Sequence, residues 1–362
     1  MHYKSIQTGR AIAALMVVFF HLGGTIALEK YFGISWFGHA FSFGHAGVHF
    51  FFVLSGFIIM QVHMDDLFKP ERIRSFLTKR CIRIYPIYWL IFLGVFLFAL
   101  AIPSLRNNVP SDIGLILKAL TLMPLDKAVV GGTGAPVLIV AWSLQYELYF
   151  YVLFGLAILN RWVAIALLVL LPTGMLLGFG VGNFPANFFW SDWLVLFFFG
   201  MGVAVLVRRN QMKFLNPIAV IGVSIAILVA TASLEAFGDA GEITWLKIFW
   251  GIGFAGLIFG YVRCEQAGRR LPLLMRHKSV QTLGDASYFL YLIHFPLISL
   301  LCKVAVAAGL TGIAGASITF ILIAFACVLV SFAGHLLIER PMQKWFSQTF
   351  IPRGVLAPVA SQ

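Results

Sequence analysis

Long apolar runs, broken by short clusters of Lys, Arg, Gly and Pro, dominate this chain. A helix that crosses the hydrocarbon core needs roughly 20 mostly apolar residues. Ten stretches meet that length, at about 9–29, 43–63, 85–103, 139–159, 162–180, 192–207, 216–234, 243–262, 285–303 and 316–338. The pattern predicts an all-α, polytopic integral membrane protein of about ten transmembrane helices. The 192–207 run is the shortest, and 43–63 is made more polar by His45, His49 and His63. The first run follows Arg10, has no small-x-small cleavage pattern and carries His21 in its middle. It therefore reads as a permanent helix rather than a signal peptide.

Composition agrees with the pattern. Of 362 residues 60% are hydrophobic and only 11% charged, where soluble domains carry about 25% charged residues. A net charge of +12 would point a soluble protein toward nucleic acid, but in a membrane protein the placement of Lys and Arg sets topology. With ten helices, 20 of the 26 basic residues fall on one side, among them Lys69, Arg161, Arg208, Arg263, Arg340 and Arg353. Lys30, Arg106, Lys118, Lys127, Lys247 and Lys303 fall on the other. This bias predicts an even helix count, both termini in the cytoplasm and a multi-pass position in the inner (cytoplasmic) membrane.

The longest outer connection is 104–138, preceded by Pro103 and containing Pro110, Gly131, Gly132, Gly134 and Pro136. A connection of that length is functional or disordered, and within it 111–123 has the spacing of a short interfacial helix. Residues 1–345 read as one transmembrane domain and 346–362 as a short cytoplasmic tail. Cys81, Cys264, Cys302 and Cys327 match neither a metal nor a disulfide framework and read as small apolar core residues.

Several ionisable residues sit inside these apolar runs, where they are expensive and are functional candidates by default. Arg10 and His21 are eleven residues apart, close to three helical turns, so they share a face with a rise of roughly 16 Å. An imidazole removed from water favours its uncharged form, which accepts protons. Arg80 and Arg83, in KRCIRIYPIYW before the third run, project together if helical and suit bidentate phosphate binding, although cytoplasmic loops are basic on topology alone. Tyr85, Tyr88 and Trp89 follow as an interfacial belt would. In the fourth run Ser143 and Glu147 are one turn apart, and a carboxylate at that depth needs an Arg, a His or a proton. In the ninth, Ser287, Tyr291 and His294 share a face that reads as a supporting surface or acceptor path, with Pro296 as a possible kink. His45 and His49 are also one turn apart, but no neighbouring carboxylate or thiolate in the sequence completes a metal site. Glu339, Arg340 and Pro341 read as a helix stop.

Taken in order, these segments resemble the membrane acyltransferase 3 family. The resemblance rests on Arg10 with His21, the run from Gly44 to Phe57 ending FFFVLSGF, Arg80 and Arg83 followed by Ile84, Tyr85 and Pro86, then Trp142, Ser143, Leu144, Glu147, Phe150 and Tyr151, and finally Ser287, Tyr288, Tyr291, His294 and Pro296. It covers about residues 6 to 341. His49 stands where the family pattern suggests Asp, which makes position 49 a poor catalytic candidate.

The resemblance implies transfer of an acyl group, usually acetyl, from acyl-coenzyme A to a hydroxyl of a carbohydrate, lipid-linked glycan or related acceptor, with the donor entering from the cytoplasm. Acyl-coenzyme A would be a co-substrate rather than a bound cofactor, and no metal is implied. Many members carry an appended SGNH hydrolase-like domain, and the present sequence shows none. The expected roles are His21 as general base, with an acyl-imidazole as the rival version, Glu147 as the group that orients or charge-balances it, and Arg10, Arg80 and Arg83 as donor-phosphate ligands. The competing class is a proton-coupled transporter, which buried His and Glu also suit, although no inverted repeat is evident.

Overall fold

The computed structural model describes residues 3–102, 109–237 and 244–351. Pro103, Arg106, Arg353, the start of the 104–138 connection and the tail beyond 351 lie outside the described residues. Among the described residues the chain is helical, without strands. The principal helices are α1 (Lys4–Ala27), α2 (Ala46–His63), α3 (Ile73–Ala101), α4 (Ile113–Leu120), α5 (Trp142–Leu159), α6 (Arg161–Leu176), α7 (Trp193–Arg208), α8 (Pro217–Phe237), α9 (Thr244–Gln266), α10 (Lys278–Asp285), α11 (Ser287–Ala307), α12 (Gly312–Gly334) and α13 (Arg340–Phe350). A π-helical turn, His335–Glu339, links the last two, so the expected stop at Glu339–Pro341 is a bulge in a longer helix.

Nine of the described helices are long and apolar enough to cross a membrane. At the expected 162–180 run stands α6, a shorter apolar helix. It has 16 residues, about 24 Å at 1.5 Å per residue, short of the roughly 30 Å hydrocarbon core.

The chain forms two compact units. The first gathers the described residues up to Gln61 together with Val195–Ile338. Its core follows α1, whose Val18, Leu22 and Ile26 are fully buried against Leu290 and Ile298 of α11 and Cys302, Ala316 and Cys327 nearby. Small residues set the helix approaches. A side chain at Gly44 would meet the Met16 carbonyl and one at Gly47 the Ala13 carbonyl, so α2 runs antiparallel to α1. Gly56 lies on Phe197 and Gly200 on Val53, and towards the carboxyl ends of both helices Arg208 Nη1 donates to the Gln61 carbonyl at 3.3 Å, so α7 runs parallel to α2 and antiparallel to α1. Chain continuity then needs an odd number of crossings between α2 and α7. Helices α3 and α5 supply two, and α6 with its flanking residues is the remaining apolar helix.

The backbone-to-backbone approach at Gly200 leaves no room for a methyl group, because its neighbours are the Val53 carbonyl and the Phe57 amide. Gly200→Ala is expected to cost about 1–3 kcal/mol, read as a lower unfolding temperature in detergent. Gly202→Ala on the same helix, with nothing within 4 Å, is the control and should leave that temperature unchanged.

The second unit is Val62–Leu194 with the described residues from Glu339 onward. Here α3 begins twelve residues before the expected 85–103 span, so Arg80 and Arg83 stand on the helix itself rather than in a loop. Helix α4 confirms a short helix within 111–123, started by Asp112, whose Oδ1 accepts from the Leu115 amide at 2.9 Å. Its carboxyl end docks on the middle of α3. Tyr85 donates to the Thr121 carbonyl (3.0 Å), Tyr88 to Ala119 (2.6 Å) and Trp89 to Leu120 (2.8 Å). The three aromatic residues expected to form an interfacial belt therefore donate to carbonyls at the carboxyl end of α4, where a helix leaves acceptors free. Gln145, buried on α5, donates to the Met123 and Gly134 carbonyls and pins the rest of this connection. Among the cysteines, Cys264, Cys302 and Cys327 are buried as expected, but Cys81 is exposed on α3.

Candidate functional site

In the first unit, α1 and α11 touch at two levels. Near their starts the buried Arg10 donates from Nε to Ser287 Oγ (3.1 Å) and from Nη1 to Gln7 Oε1 (3.1 Å). Further along, His294 Nε2 lies 3.2 Å from His21 Nδ1. Contacts that advance together along both helices make them parallel. His294 is fully buried and Tyr291 nearly so, with its ring 5.8 Å from that of His294.

The hydrogen bonds at the two histidines fix their tautomers. His21 Nδ1 is 3.0 Å from the Val17 carbonyl and His294 Nδ1 is 3.1 Å from the Leu290 carbonyl. A carbonyl only accepts, so both Nδ1 atoms carry hydrogen. The Nδ1–H of His21 is then shared between Val17 O and the lone pair of His294 Nε2. In the neutral ring this leaves His21 Nε2 with a lone pair, on a side chain that is only partly buried. That is the arrangement of a proton acceptor held in one orientation. Phe20 and Phe295 wall the His21 ring at 5.0 and 5.3 Å.

A second polar cluster in the same unit was not legible in the sequence. His45 Nε2 pairs with Glu235 Oε1 at 3.0 Å, and Trp250 Nε1 donates to Glu235 Oε2 at 3.3 Å. His45 Nδ1 donates to the Ser42 carbonyl at 2.7 Å, so the proton between His45 Nε2 and Glu235 is shared by an imidazole and a carboxyl group. Glu235 is thus the carboxylate that local sequence did not supply to His45. Even so, no group of three or more His, Cys, Asp or Glu side chains suited to a metal ion occurs among the described residues. His49 is buried, its ring 5.4 Å from that of His45.

The second unit holds Arg80, Arg83, Ser143 and Glu147. Arg80 is buried. Its Nη2 donates to His63 Nε2 at 3.1 Å, and His63 Nδ1 donates to Asp66 Oδ2 at 2.8 Å. Its guanidinium lies over the Phe76 and Tyr151 rings, at 5.9 and 5.8 Å from their centres. The Tyr151 hydroxyl donates to Glu147 Oε1, and the charges of Glu147 and Arg83 act on Arg80. The half-buried Glu147 carboxylate thus stands in the field of an arginine. Arg83 is half-buried and makes no hydrogen bond or ion pair among the described residues. Ser143 is buried and donates to the Val140 carbonyl at 3.2 Å.

The structure thus joins His21 with His294 and Arg10 with Ser287 in one unit, and Arg80 with Glu147 through Tyr151 in the other. Sequence reasoning missed His63, which lies 17 residues before Arg80. The available signal was a titratable residue at the end of an apolar run, followed three residues later by Asp66.

Comparison with known proteins bears on this arrangement. The acyltransferase domain that defines the acyltransferase 3 family matches residues 3–340. The chain is 29% identical over 315 residues to the exopolysaccharide production protein ExoZ of Rhizobium meliloti (strain 1021), covering 84% of this chain and 91% of that protein. It is 27% identical over 320 residues to the acyltransferase MdmB of Streptomyces mycarofaciens, covering 80% and 77%. No solved structure matches the chain.

Proposed function

This chain belongs to the acyltransferase 3 family, and from that premise we propose that it moves an acyl group, most simply acetyl, from acyl-coenzyme A to a hydroxyl of a carbohydrate or glycan-type acceptor. That it is a multi-pass membrane acyltransferase follows from the family match and the apolar helices, and the transporter reading is set aside. The name of the exopolysaccharide production relative supports a polysaccharide acceptor. The excess of Lys and Arg on one side of the sequence supports cytoplasmic termini and a position in the inner membrane, with the donor arriving from the cytoplasm.

The observation that carries the chemical reading is the His21–His294 pair. In the proposed step His21 Nε2 removes the acceptor hydroxyl's proton while the oxygen attacks the thioester carbonyl. The carbon–sulfur bond breaks, and the proton passes from His21 to the departing sulfur, giving an ester and free coenzyme A. No net proton is consumed. His294 holds the imidazole in the orientation that keeps Nε2 available, and its lone pair steadies the Nδ1–H as charge develops. Tyr291 packs against His294 and supports it.

Arg83 is the guanidinium proposed to meet the donor's phosphates, with Arg80 as its positioned neighbour, held by His63 and charge-balanced by Glu147. Arg10 is the donor-side cation of the first unit, fixed by Ser287 and Gln7. Ser143 supports α5 beside this group.

The test is release of free thiol by the purified protein in lipid nanodiscs, with acetyl-coenzyme A as donor and a soluble oligosaccharide as acceptor. Thiol release above the rate of donor alone in empty nanodiscs is the expected result. Absence of release and of donor binding across acetyl-, propionyl- and longer acyl-coenzyme A species would remove coenzyme A from the account.

A further inference from the structure

Three helix ends of the first unit converge on one groove. Helix α7 closes with Asn210 in the left-handed region (φ 53°): the Asn210 amide donates to the Val207 carbonyl and the Gln211 amide to Leu206. Helix α9 closes the same way at Gly268 (φ 69°), with the Gly268 amide on Glu265 and the Arg269 amide on Cys264. Both are Schellman endings, which require a residue tolerant of positive φ. Helix α8 starts between them, with Pro217 first and Asn216 Oδ1 accepting from the Ile218 amide at 3.0 Å.

The open groove between these ends has a volume of about 560 Å³, within the roughly 300–1,000 Å³ range of small-molecule sites. Lys213, Arg263 and Arg269 line it together with Arg208, whose Nη1 donates to the Gln61 carbonyl at 3.3 Å, and no Asp or Glu is among the lining residues. Arg263 is pre-oriented by neutral acceptors, Asn210 Oδ1 at 2.7 Å and Gln266 Oε1 at 3.3 Å, with its guanidinium over the Phe259 ring. Amide oxygens orient it without cancelling its charge. Two helix carboxyl ends offset only about half a charge each, so positive charge is in excess. Topology accounts for basic residues between helices. It does not call for Lys213, Arg263 and Arg269 to face one groove, where they repel.

We propose that this groove is a binding site for a multiply charged phosphate ester, either the nucleotide end of the acyl donor or the headgroup of an anionic phospholipid. Guanidinium groups supply the bidentate contacts and Lys213 a mobile point charge. The nucleotide version rests on the donor reading above; the lipid version does not.

The experiment uses the full chain in phosphatidylcholine nanodiscs titrated with adenosine 3′,5′-bisphosphate by calorimetry. In parallel, native mass spectrometry follows phosphatidylglycerol retained after reconstitution. Lys213→Gln/Arg269→Gln alters only exposed side chains and serves as the fold-neutral variant, checked by an unchanged unfolding temperature; Arg263→Gln is the second variant. Weakening of the bisphosphate by about tenfold or more establishes a nucleotide site, and loss of retained phosphatidylglycerol with bisphosphate binding unchanged establishes a lipid site. Equal behaviour of wild type and both variants toward both probes, or no binding of either probe by wild type, overturns the proposal. Failure of the donor reading would appear separately, as wild type that releases no thiol from any acyl-coenzyme A.

Discussion

His21→Ala is expected to lower the rate of acyl transfer by about 10²–10⁴-fold, the range for loss of a general base, while leaving the protein inserted, folded and able to bind donor. The geometry leads to this split. The His21 ring makes its hydrogen bonds to the Val17 carbonyl and to His294, so truncation removes a proton acceptor but no contact that a phosphate would use. His294→Gln is the informative companion. A glutamine amide can still face His21 but lacks the imidazole lone pair at that distance, so activity should fall less than in His21→Ala, through kcat rather than through donor KM. If His21→Ala retained wild-type turnover with a normal unfolding temperature, proton removal at this position would be excluded. Trapping of a labelled acyl group on His21 itself would favour the acyl-imidazole route over direct transfer.

The second large effect is a difference between two arginines that the sequence presents as equivalent. Arg83→Ala is expected to raise the donor KM by about tenfold or more with little change in stability, because Arg83 makes no hydrogen bond or ion pair among the described residues. Arg80→Ala should do more. Arg80 is 7% exposed and bonded to His63, and the charge of Glu147 acts on it. Its removal takes the donor from the buried His63 Nε2 and the positive field from the half-buried Glu147, at a cost of about 1–3 kcal/mol. The unfolding temperature should therefore drop along with donor affinity. Arg80→Lys keeps the charge but not the planar fork, and should restore stability more fully than affinity. Equal stability losses in Arg80→Ala and Arg83→Ala would contradict the distinction drawn between them.

The α class and most of the helix positions were legible because bilayer-crossing segments announce themselves by length and composition. The start of α3 was not. The stretch from Ile73 to Arg83 contains Arg74, Lys79, Arg80 and Arg83 and reads as a basic loop. It is helical because Phe76 and Ile82, between those charges, are buried within the second unit. The short α6 was overestimated for the opposite reason, since its apolar pattern continues into a non-helical stretch past Leu176.

Site residues on a single helix could be grouped by spacing, as with Arg10 and His21. Partners from distant segments could not. His294 lies 273 residues from His21 and Glu235 stands 190 positions after His45. Nothing in a periodicity argument pairs such residues. The aromatic triplet Tyr85, Tyr88 and Trp89 was read by composition as a membrane belt. The donors they carry are spent on the carbonyls of α4, a role that depends on a segment folding back onto α3.

The measurement that bears most directly on the central claim follows radiolabelled acetyl-coenzyme A with wild type and His21→Ala in nanodiscs supplied with bacterial envelope polysaccharide, counting label on the glycan. The account predicts alkali-labile label on the polysaccharide with wild type, matched by an equal amount of free thiol, and neither with His21→Ala. Thiol release without label on any glycan, or equal labelling by the two proteins, would contradict it.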